Sequence, residues 1–122
     1  MAPELHKLTT PLATLCYQKR GSGNDVLLCF HGFGQDHAAF NHVSPLLDSQ
    51  YTWYSFDLFF HGNSSWKKGN KPITKQNWEQ IITAFLTQEK INRFSLLGYS
   101  LGSRFLLVTF ESFPDRTNSI LL

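Results

Sequence analysis

One apolar segment near the end of this sequence strongly limits the folds that the chain can adopt. Residues 93–98, RFSLLG, form an apolar run without the alternation of polar and apolar residues that a half-exposed strand shows. Such a run predicts a strand covered on both faces, as in parallel sheets. The residues that follow, LGSRFLLVTFESF at 101–113, are apolar nearly all round and predict a buried helix that Pro114 ends. The segment therefore predicts an α/β fold.

The rest of the chain alternates in the same way. Strands are predicted at 14–20, 26–30, 51–58 and 117–122, the first two forming a hairpin or adjacent strands across the turn GSGN. Asp36 is a plausible N-cap for a helix that Pro45 bends or ends, and Thr74 for a helix over 74–90. The apolar face of that second helix consists of Trp78, Ile81, Ile82, Phe85 and Leu86. We predict one mainly parallel sheet with helices on both faces, which binds ligands at its carboxyl edge.

Length and charge exclude several classes of protein. With 122 residues the chain has the length of one domain, and its net charge of +2 includes no basic cluster beyond WKK, so nucleic-acid binding is not expected. No run approaches the roughly 18 apolar residues of a membrane span, and the first residues do not resemble a secretion signal, so we expect a cytoplasmic protein. Cys16 and Cys29 are expected to be buried and free, and no metal or cofactor is predicted.

Three loops with unusual glycine, histidine and serine content follow predicted strands: HGFGQD, FFHGNSS and GYSLG. The last contains Gly-x-Ser-x-Gly between a buried strand and a helix, the pattern of a nucleophile elbow. Gly98 and Gly102 leave room for close packing, and Ser100 lies at a helix N-terminus that favours developing negative charge. The backbone N–H groups of Leu101 and Phe33 are candidates for an oxyanion hole.

The segments LLCFHGFGQD, SFDLFFHGNSS and LLGYSLGSR resemble, in order and spacing, the N-terminal signatures of the α/β-hydrolase fold family. The resemblance covers about residues 14–122. It implies that Ser100 is the nucleophile and that Phe33 and Leu101 supply the oxyanion-hole N–H groups. The residues that it implies as supports of the elbow and its loops are Gly98, Gly102, His31, Gly32, Asp57 and His61. One departure is that Phe60 replaces the first glycine of the family pattern Asp-x-x-Gly-His-Gly, which predicts a bulkier, more apolar loop.

A serine at the elbow argues against the dehalogenases and epoxide hydrolases of this fold, which carry aspartate there. Hydrolysis of an ester or related small acyl substrate is therefore expected, as in a carboxylesterase. Aromatic side chains near the loops predict an apolar substrate pocket, although core packing is expected for at least half of them. These residues are Phe33, Phe59, Phe60, Trp66 and Tyr99.

The sequence does not contain a complete catalytic triad in the family's order. After Ser100 the carboxylates are Glu111 and Asp115, and no histidine follows. Earlier in the chain, His6 is assigned to an N-terminal tail, and His37 and His42 to solvated positions of the first helix. We expect residues 1–122 to be one truncated hydrolase domain, the N-terminal half of a longer one.

Two other functions are open at this stage. The chain could be a catalytically incomplete half-domain that binds a small apolar ligand or a partner chain, with self-association through the exposed edge that TNSILL would leave. A C–C hydrolase or lyase on the same scaffold is the other alternative.

Overall fold

The computed structural model describes residues 4–122, which form a seven-stranded sheet flanked by helices. The strands are β1 (Glu4–Thr9), β2 (Ala13–Gly21), β3 (Asp25–Phe30), β4 (Tyr51–Phe56), β5 (Ser65–Trp66), β6 (Phe94–Gly98) and β7 (Thr117–Leu121). The α-helices are α1 (Ser44–Leu47), α2 (Lys75–Glu89) and α3 (Leu101–Ser112), and 3₁₀ helices span His37–Val43 and Pro114–Arg116. Within these residues, no helix has the length and apolar character needed to cross a membrane.

The strand order β1-β2-β4-β3-β6-β7, with β5 beside β2, confirms a mainly parallel central sheet. Strand β3 is parallel to both β4 and β6, and β6 is parallel to β7. The remaining pairs, β1–β2, β2–β4 and β2–β5, are antiparallel. The carboxyl ends of β3, β4 and β6 therefore lie side by side at one edge, where ligands bind in such sheets.

Alternate residues of β3 point to opposite faces of the sheet and enter two separate apolar clusters. Leu28 and Phe30 belong to the larger cluster, which α2 and α3 cover. Leu27 and Cys29 belong to a smaller cluster on the other face, where Phe40 and other side chains from the first helical segment pack. All four β3 residues are fully buried, as expected for a strand with helices on both of its faces.

The predicted pairing of β2 with β3 is wrong, because β4 lies between them. A crossover through the first helical segment brings β4 back beside β3, and β2 then pairs with the outer edge of β4. The segment assigned to an N-terminal tail is strand β1, which pairs with β2. There His6 stacks on Tyr17 with 5.3 Å between ring centroids.

The first helix also differs from the prediction. Asp36 is its N-cap, with Oδ1 accepting from the N–H of Ala38 at 2.8 Å, but the turns that follow are 3₁₀ helix. Pro45 lies in the first turn of α1, so it begins the short α-helix instead of ending a longer one. Proline suits that position because the first turn of a helix has no use for its missing N–H.

The second helix is confirmed in detail. The Thr74 hydroxyl accepts from the Asn77 N–H at 3.0 Å, and the Asn77 side-chain oxygen accepts from the Thr74 N–H at 3.1 Å. This reciprocal pair satisfies two free donors at the start of the helix. All five predicted apolar side chains of α2 are buried.

The prediction that α3 is buried all round is wrong. Gly102, Leu106 and Thr109 are buried, whereas Leu107 is 46% exposed and Phe110 is 36% exposed. Helix α3 packs against α2, β3 and β6, so the described residues cover only one of its sides. The expectation that 117–122 forms a strand of the parallel sheet and leaves an exposed edge is confirmed, because β7 pairs with β6 as the last strand of the sheet and Leu121 is exposed.

The end of α2 is joined to the sheet through the carboxylate of Glu89. The Tyr17 hydroxyl donates to Glu89 Oε2 at 2.5 Å, and the Tyr54 hydroxyl donates to Oε1 at 3.4 Å. Lys19 Nζ lies 3.5 Å from the same Oε1. Burial raises the pKa of Tyr17 and of Tyr54, so both phenols stay protonated as donors.

We therefore predict that Glu89→Ala lowers the free energy of unfolding by about 2 kcal/mol, since it leaves a buried tyrosine hydroxyl without its acceptor. Urea denaturation at neutral pH measures the change. The matched control is Glu79→Ala at an exposed position of the same helix, expected to change stability by less than about 0.5 kcal/mol. Equal effects of the two substitutions would contradict the role given to Glu89.

Candidate active site

Two of the three predicted loops meet where β3 and β6 end. The N–H of Tyr99 donates to the carbonyl of Phe30 at 3.2 Å, which joins the turn after β6 to the end of β3. The ring of Tyr99 lies against Gly32, where an added Cβ would be 2.8 Å from the ring. Ser100 and the HGFGQD loop are therefore neighbours at the carboxyl edge of the sheet.

Ser100 lies between β6 and α3 in a strained backbone conformation. Its φ is 55° and its ψ is −118°, and the residue is exposed. For a residue other than glycine, such angles cost about 1–3 kcal/mol and occur mostly at functional sites. The N–H of Gly102 donates to the carbonyl of Tyr99 at 2.9 Å, which closes the sharp turn. The sequence pattern predicts this conformation for a serine at a strand-to-helix turn.

The two glycines around Ser100 allow α3 to approach the end of β3. A Cβ at Gly102 would lie 2.0 Å from the carbonyl oxygen of Phe30, which is a backbone atom that cannot move aside. A Cβ at Gly98 would lie 3.1 Å from the carbonyl of Gly102 and from the side chain of Leu106. Gly102 thus has no tolerated replacement in this packing, whereas a side chain at Gly98 would need its neighbours to shift by only a few tenths of an ångström.

The backbone N–H groups of Phe33 and Leu101 are available at this edge. Across residues 4–122 neither N–H is hydrogen-bonded to a protein acceptor. Leu101 is the first residue of α3, so its N–H belongs to the positive end of the helix. Phe33 lies in a tight turn in which the N–H of Gln35 donates to the carbonyl of Gly32 at 3.2 Å. These two free donors suit a developing negative charge.

His31 fastens the loop after β3 to the loop after β4. Its ring is buried, with Nε2 accepting from the N–H of Leu58 at 3.0 Å and Nδ1 lying 2.7 Å from the carbonyl of Gly32. Because the Gly32 carbonyl can only accept, Nδ1 is the protonated nitrogen. Burial lowers the pKa of His31, which keeps the imidazole neutral and able to accept at Nε2.

Asp57 is a second fastening between the same loops, and it is buried. Its Oδ1 accepts from the backbone N–H of His37 at 2.7 Å and lies 2.8 Å from Nδ1 of the same residue. Its Oδ2 accepts from the N–H of Asn63 at 2.9 Å. A Cβ on Gly62 would lie 2.3 Å from the Asp57 carboxyl carbon, so only glycine fits beside it.

The assignment of His37 to a solvated helix position is therefore wrong, because its ring is an Asp57 partner. No periodicity in the sequence could have identified this pair, since the two residues follow different strands. Only the burial of Asp57, which the structure shows, points to a partner such as His37, because a buried carboxylate needs several hydrogen-bond donors. His42, by contrast, is exposed as expected.

His61 is the third connection between these loops. Its Nε2 accepts from the N–H of Gly34 at 3.0 Å, and its Nδ1 lies 3.1 Å from the carbonyl of Phe59. The ring also meets the ring of Phe33 edge-on, with 5.6 Å between centroids. The resemblance implies that three side chains support these loops: His31, Asp57 and His61. In the structure each of them accepts a backbone N–H group from the neighbouring loop.

One group of side chains has the composition of a metal site. Donor atoms of Asp36, His37 and Asp57 all lie within 4.8 Å of one another. However, Asp57 accepts three hydrogen bonds, and Asp36 caps the 3₁₀ helix. We assign the three residues to hydrogen bonding.

The aromatic residues predicted to line a pocket have different positions. Phe59 is 3% exposed and packs in the core against Trp78, which corrects its assignment to the pocket. Trp66 lies on β5 and packs on Phe59. Tyr99 is 62% exposed, and Phe60 is 79% exposed beside Gly34 and His61 in an open cavity of about 610 Å³.

The backbone conformation of Phe60 explains why the family pattern has glycine at this position. Its φ is 68°, in the left-handed region that favours glycine. Phenylalanine at this position keeps the turn at a steric cost and adds an exposed ring to the loop.

Sequence reasoning missed an apolar cavity of about 270 Å³ between the first turns of α2 and α3. Its apolar lining comprises Ile73, Trp78, Leu101, Phe105 and Val108, and Arg104 lies at the same cavity. Leu101, the residue that follows Ser100, is the part of the elbow that lines this cavity. The packing of two helices creates it, so no local pattern indicates it.

Comparison with known proteins agrees with this arrangement. The alpha/beta hydrolase fold family matches residues 25–122. The serine hydrolase-like protein of Homo sapiens is 29% identical over 117 residues, which covers 95% of this chain and 58% of that protein. The pimeloyl-acyl-carrier-protein methyl ester esterase of Aliivibrio salmonicida is 26% identical over 108 residues, which covers 88% of this chain and 38% of the esterase.

Among solved structures, a candidate epoxide hydrolase of Pseudomonas aeruginosa superposes with a TM-score of 0.85 at 24% identity. The superposition covers 97% of this chain and 40% of the other, and at this identity the likeness concerns the fold alone. The chain therefore spans about three fifths or less of the length of these similar proteins. The family match includes β6 and α3, between which Ser100 lies, and the loops that follow β3 and β4, and we conclude that this chain belongs to the α/β-hydrolase fold family.

Proposed function

We propose that residues 1–122 carry the nucleophile and the oxyanion hole of a serine hydrolase that acts on an ester or related acyl compound. The observation that carries the proposal is Ser100 itself, which is exposed and has strained backbone angles directly before the first turn of α3. Strain of this kind persists only where the surrounding structure enforces it, and here the close approach of Gly102 to β3 enforces it.

The proposed reaction is acyl transfer to the serine. Ser100 Oγ attacks the acyl carbon and loses its proton to a base, and the carbonyl oxygen becomes an oxyanion. The N–H groups of Phe33 and Leu101 donate to this oxygen, supported by the positive end of α3. Collapse of the tetrahedral intermediate expels the alcohol with the proton from the base, and water then releases the acid by the same steps.

The base and its acid partner come from outside these 122 residues in this proposal. Nε2 of His31 accepts from Leu58, and Nε2 of His61 accepts from Gly34, so neither nitrogen is free to take a proton from serine. His37 is bonded through Nδ1 to Asp57, and within residues 4–122 no hydrogen bond joins Ser100 to His37 or to another histidine. Similar proteins are much longer than this chain, which leaves room for both groups.

An apolar acyl group suits the surroundings of Ser100. The cavity beside Leu101 has mainly apolar walls, and its 270 Å³ or so would hold a short chain or ring. Tyr99 and Phe60 add exposed aromatic surface at the same edge of the sheet. That one similar protein is named a methyl ester esterase supports an ester as the substrate class.

We predict that a chain extended to the length of its relatives hydrolyses p-nitrophenyl acetate, and that Ser100→Ala lowers kcat by about 10³-fold or more. The 122 residues alone should show only slow turnover, because no base activates the hydroxyl. The release of p-nitrophenolate measures both rates.

Ser103→Ala is the matched control, since Ser103 is on the same turn of α3 and is expected to leave the rate unchanged. Circular dichroism checks that each variant is folded. Brisk, Ser100-dependent turnover by the 122 residues alone would refute the external base. Turnover by the extended chain that survives Ser100→Ala would refute the nucleophile.

One observation favours a second candidate function, the binding of another copy of the chain. Strand β7 pairs only with β6 among the described strands, so its other side is open. Leu121 is 45% exposed and Leu122 is 77% exposed at this edge, and Leu107 and Phe110 are exposed on α3. An open, apolar edge strand is a template for pairing with an identical strand.

We predict that the 122 residues self-associate through β7 and that Leu121→Lys restores the monomer, because a charge on an edge strand opposes pairing. Sedimentation velocity over a range of concentrations measures the association. Leu46→Lys is the matched control, since Leu46 is 77% exposed but lies on α1 away from this edge. A monomer at every concentration, or equal effects of the two substitutions, would exclude this function.

A further inference from the structure

The hydrogen bond between His61 and Gly34 requires one particular state of the imidazole. Nδ1 lies 3.1 Å from the Phe59 carbonyl, which can only accept, so Nδ1 carries a proton. Nε2 lies 3.0 Å from the N–H of Gly34, which can only donate, so Nε2 carries none. The contact therefore exists only while His61 is neutral.

Gly34 is the third residue of a tight turn. The central peptide of such a turn can take either of two orientations. The N–H of Gln35 donates to the carbonyl of Gly32, and φ of Gly34 is 78°, which together define a type II turn with Phe33 at its second position. A type I turn differs mainly in a flip of the peptide between the second and third residues. Glycine at the third position can adopt both forms.

His61 selects between these orientations. In the type II form the N–H of Gly34 points at Nε2, while the Phe33 carbonyl of the same trans peptide points the opposite way. Protonated Nε2 is a donor, so it would repel this N–H and attract the carbonyl. Protonation of His61 thus favours the flipped peptide.

We infer that His61 is a positioning residue that holds the Phe33–Gly34 peptide in its type II orientation, and so keeps the Phe33 carbonyl turned away from the imidazole in the loop that supplies the Phe33 N–H to the oxyanion hole. This rests on the proposed function in one respect, the assignment of the Phe33 N–H as an oxyanion donor. The hydrogen bond itself and its dependence on the charge of His61 rest on the geometry alone.

Three ionisable side chains lie near the ring of His61. The ring of His31 lies 5.0 Å away, with its own proton directed at the Gly32 carbonyl. Asp57 lies beside Gly62, the residue that follows His61. The carboxylate oxygens of Asp57 already accept hydrogen bonds from His37 and Asn63. Asp36 lines the same cavity as His61 and caps the 3₁₀ helix.

The test uses the 122-residue chain labelled with ¹⁵N. We expect a coupling across the hydrogen bond between the Gly34 nitrogen and His61 Nε2 at about pH 8, which disappears as the ring is protonated. As the pH is lowered, the Gly34 amide shift should change together with the shifts of the His61 ring. Absence of the coupling at high pH, or a Gly34 shift independent of the ring, would overturn the inference.

Two substitutions separate positioning from simple packing. His61→Gln offers a side-chain oxygen in place of Nε2 and should keep Gly34 protected at all pH values, whereas His61→Phe should speed its hydrogen exchange by roughly two- to tenfold. His42→Gln is the control at an exposed histidine and should change nothing at Gly34. Exchange in His61→Phe equal to that of the unaltered chain would overturn the inference. If that variant does not fold, the wild-type titration and His61→Gln decide.

These measurements are independent of ester hydrolysis. If Ser100→Ala leaves the activity of the extended chain intact while the coupling is present, the proposed function fails and the turn constraint stands. If hydrolysis depends on Ser100 but the coupling is absent, this inference alone fails.

Discussion

The geometry of the candidate site depends on one close backbone approach, that of Gly102 to the carbonyl of Phe30. It places the first turn of α3 against the end of β3, so the chain must turn sharply between β6 and α3. That sharp turn is the reason for the strained angles of Ser100 and for its exposure. It also brings the start of α3 next to the loop that contains Phe33. A methyl group at position 102 would separate the two elements and remove every one of these features together.

A second level of organisation holds the loops themselves. Three side chains, His31, Asp57 and His61, accept backbone N–H groups from loops other than their own. Each of these hydrogen bonds fixes one backbone N–H group of a loop. Packing of apolar side chains could not position a loop with the same precision. Two of the three are histidines whose acceptor nitrogen is used for this purpose. The consequence is that Nε2 of His31 and Nε2 of His61 serve structure and are not free to accept a proton from Ser100.

The sequence predicted the parts of the fold that depend on local patterns. The buried run of β6, the apolar face of α2 and the strand-to-helix turn at Ser100 each follow from a few neighbouring residues. What it could not predict depends on partners far along the chain. The insertion of β4 between β2 and β3 and the pairing of His37 with Asp57 are of this kind.

The two sides of α3 show why apolar composition alone misled the prediction of burial. A helix that is apolar all round is expected to be buried all round, and the apolar residues of α3 do fulfil that expectation on the side of α2 and β3. Leu107 and Phe110 are exposed, so the described residues do not cover the side of α3 on which these two side chains lie. The composition of a helix thus indicates how much apolar surface it can bury. The structure shows how much of that surface the described residues cover. The difference between the two is the exposed apolar surface of Leu107 and Phe110 on α3, the helix that begins directly after Ser100, and burying this surface would stabilise that helix.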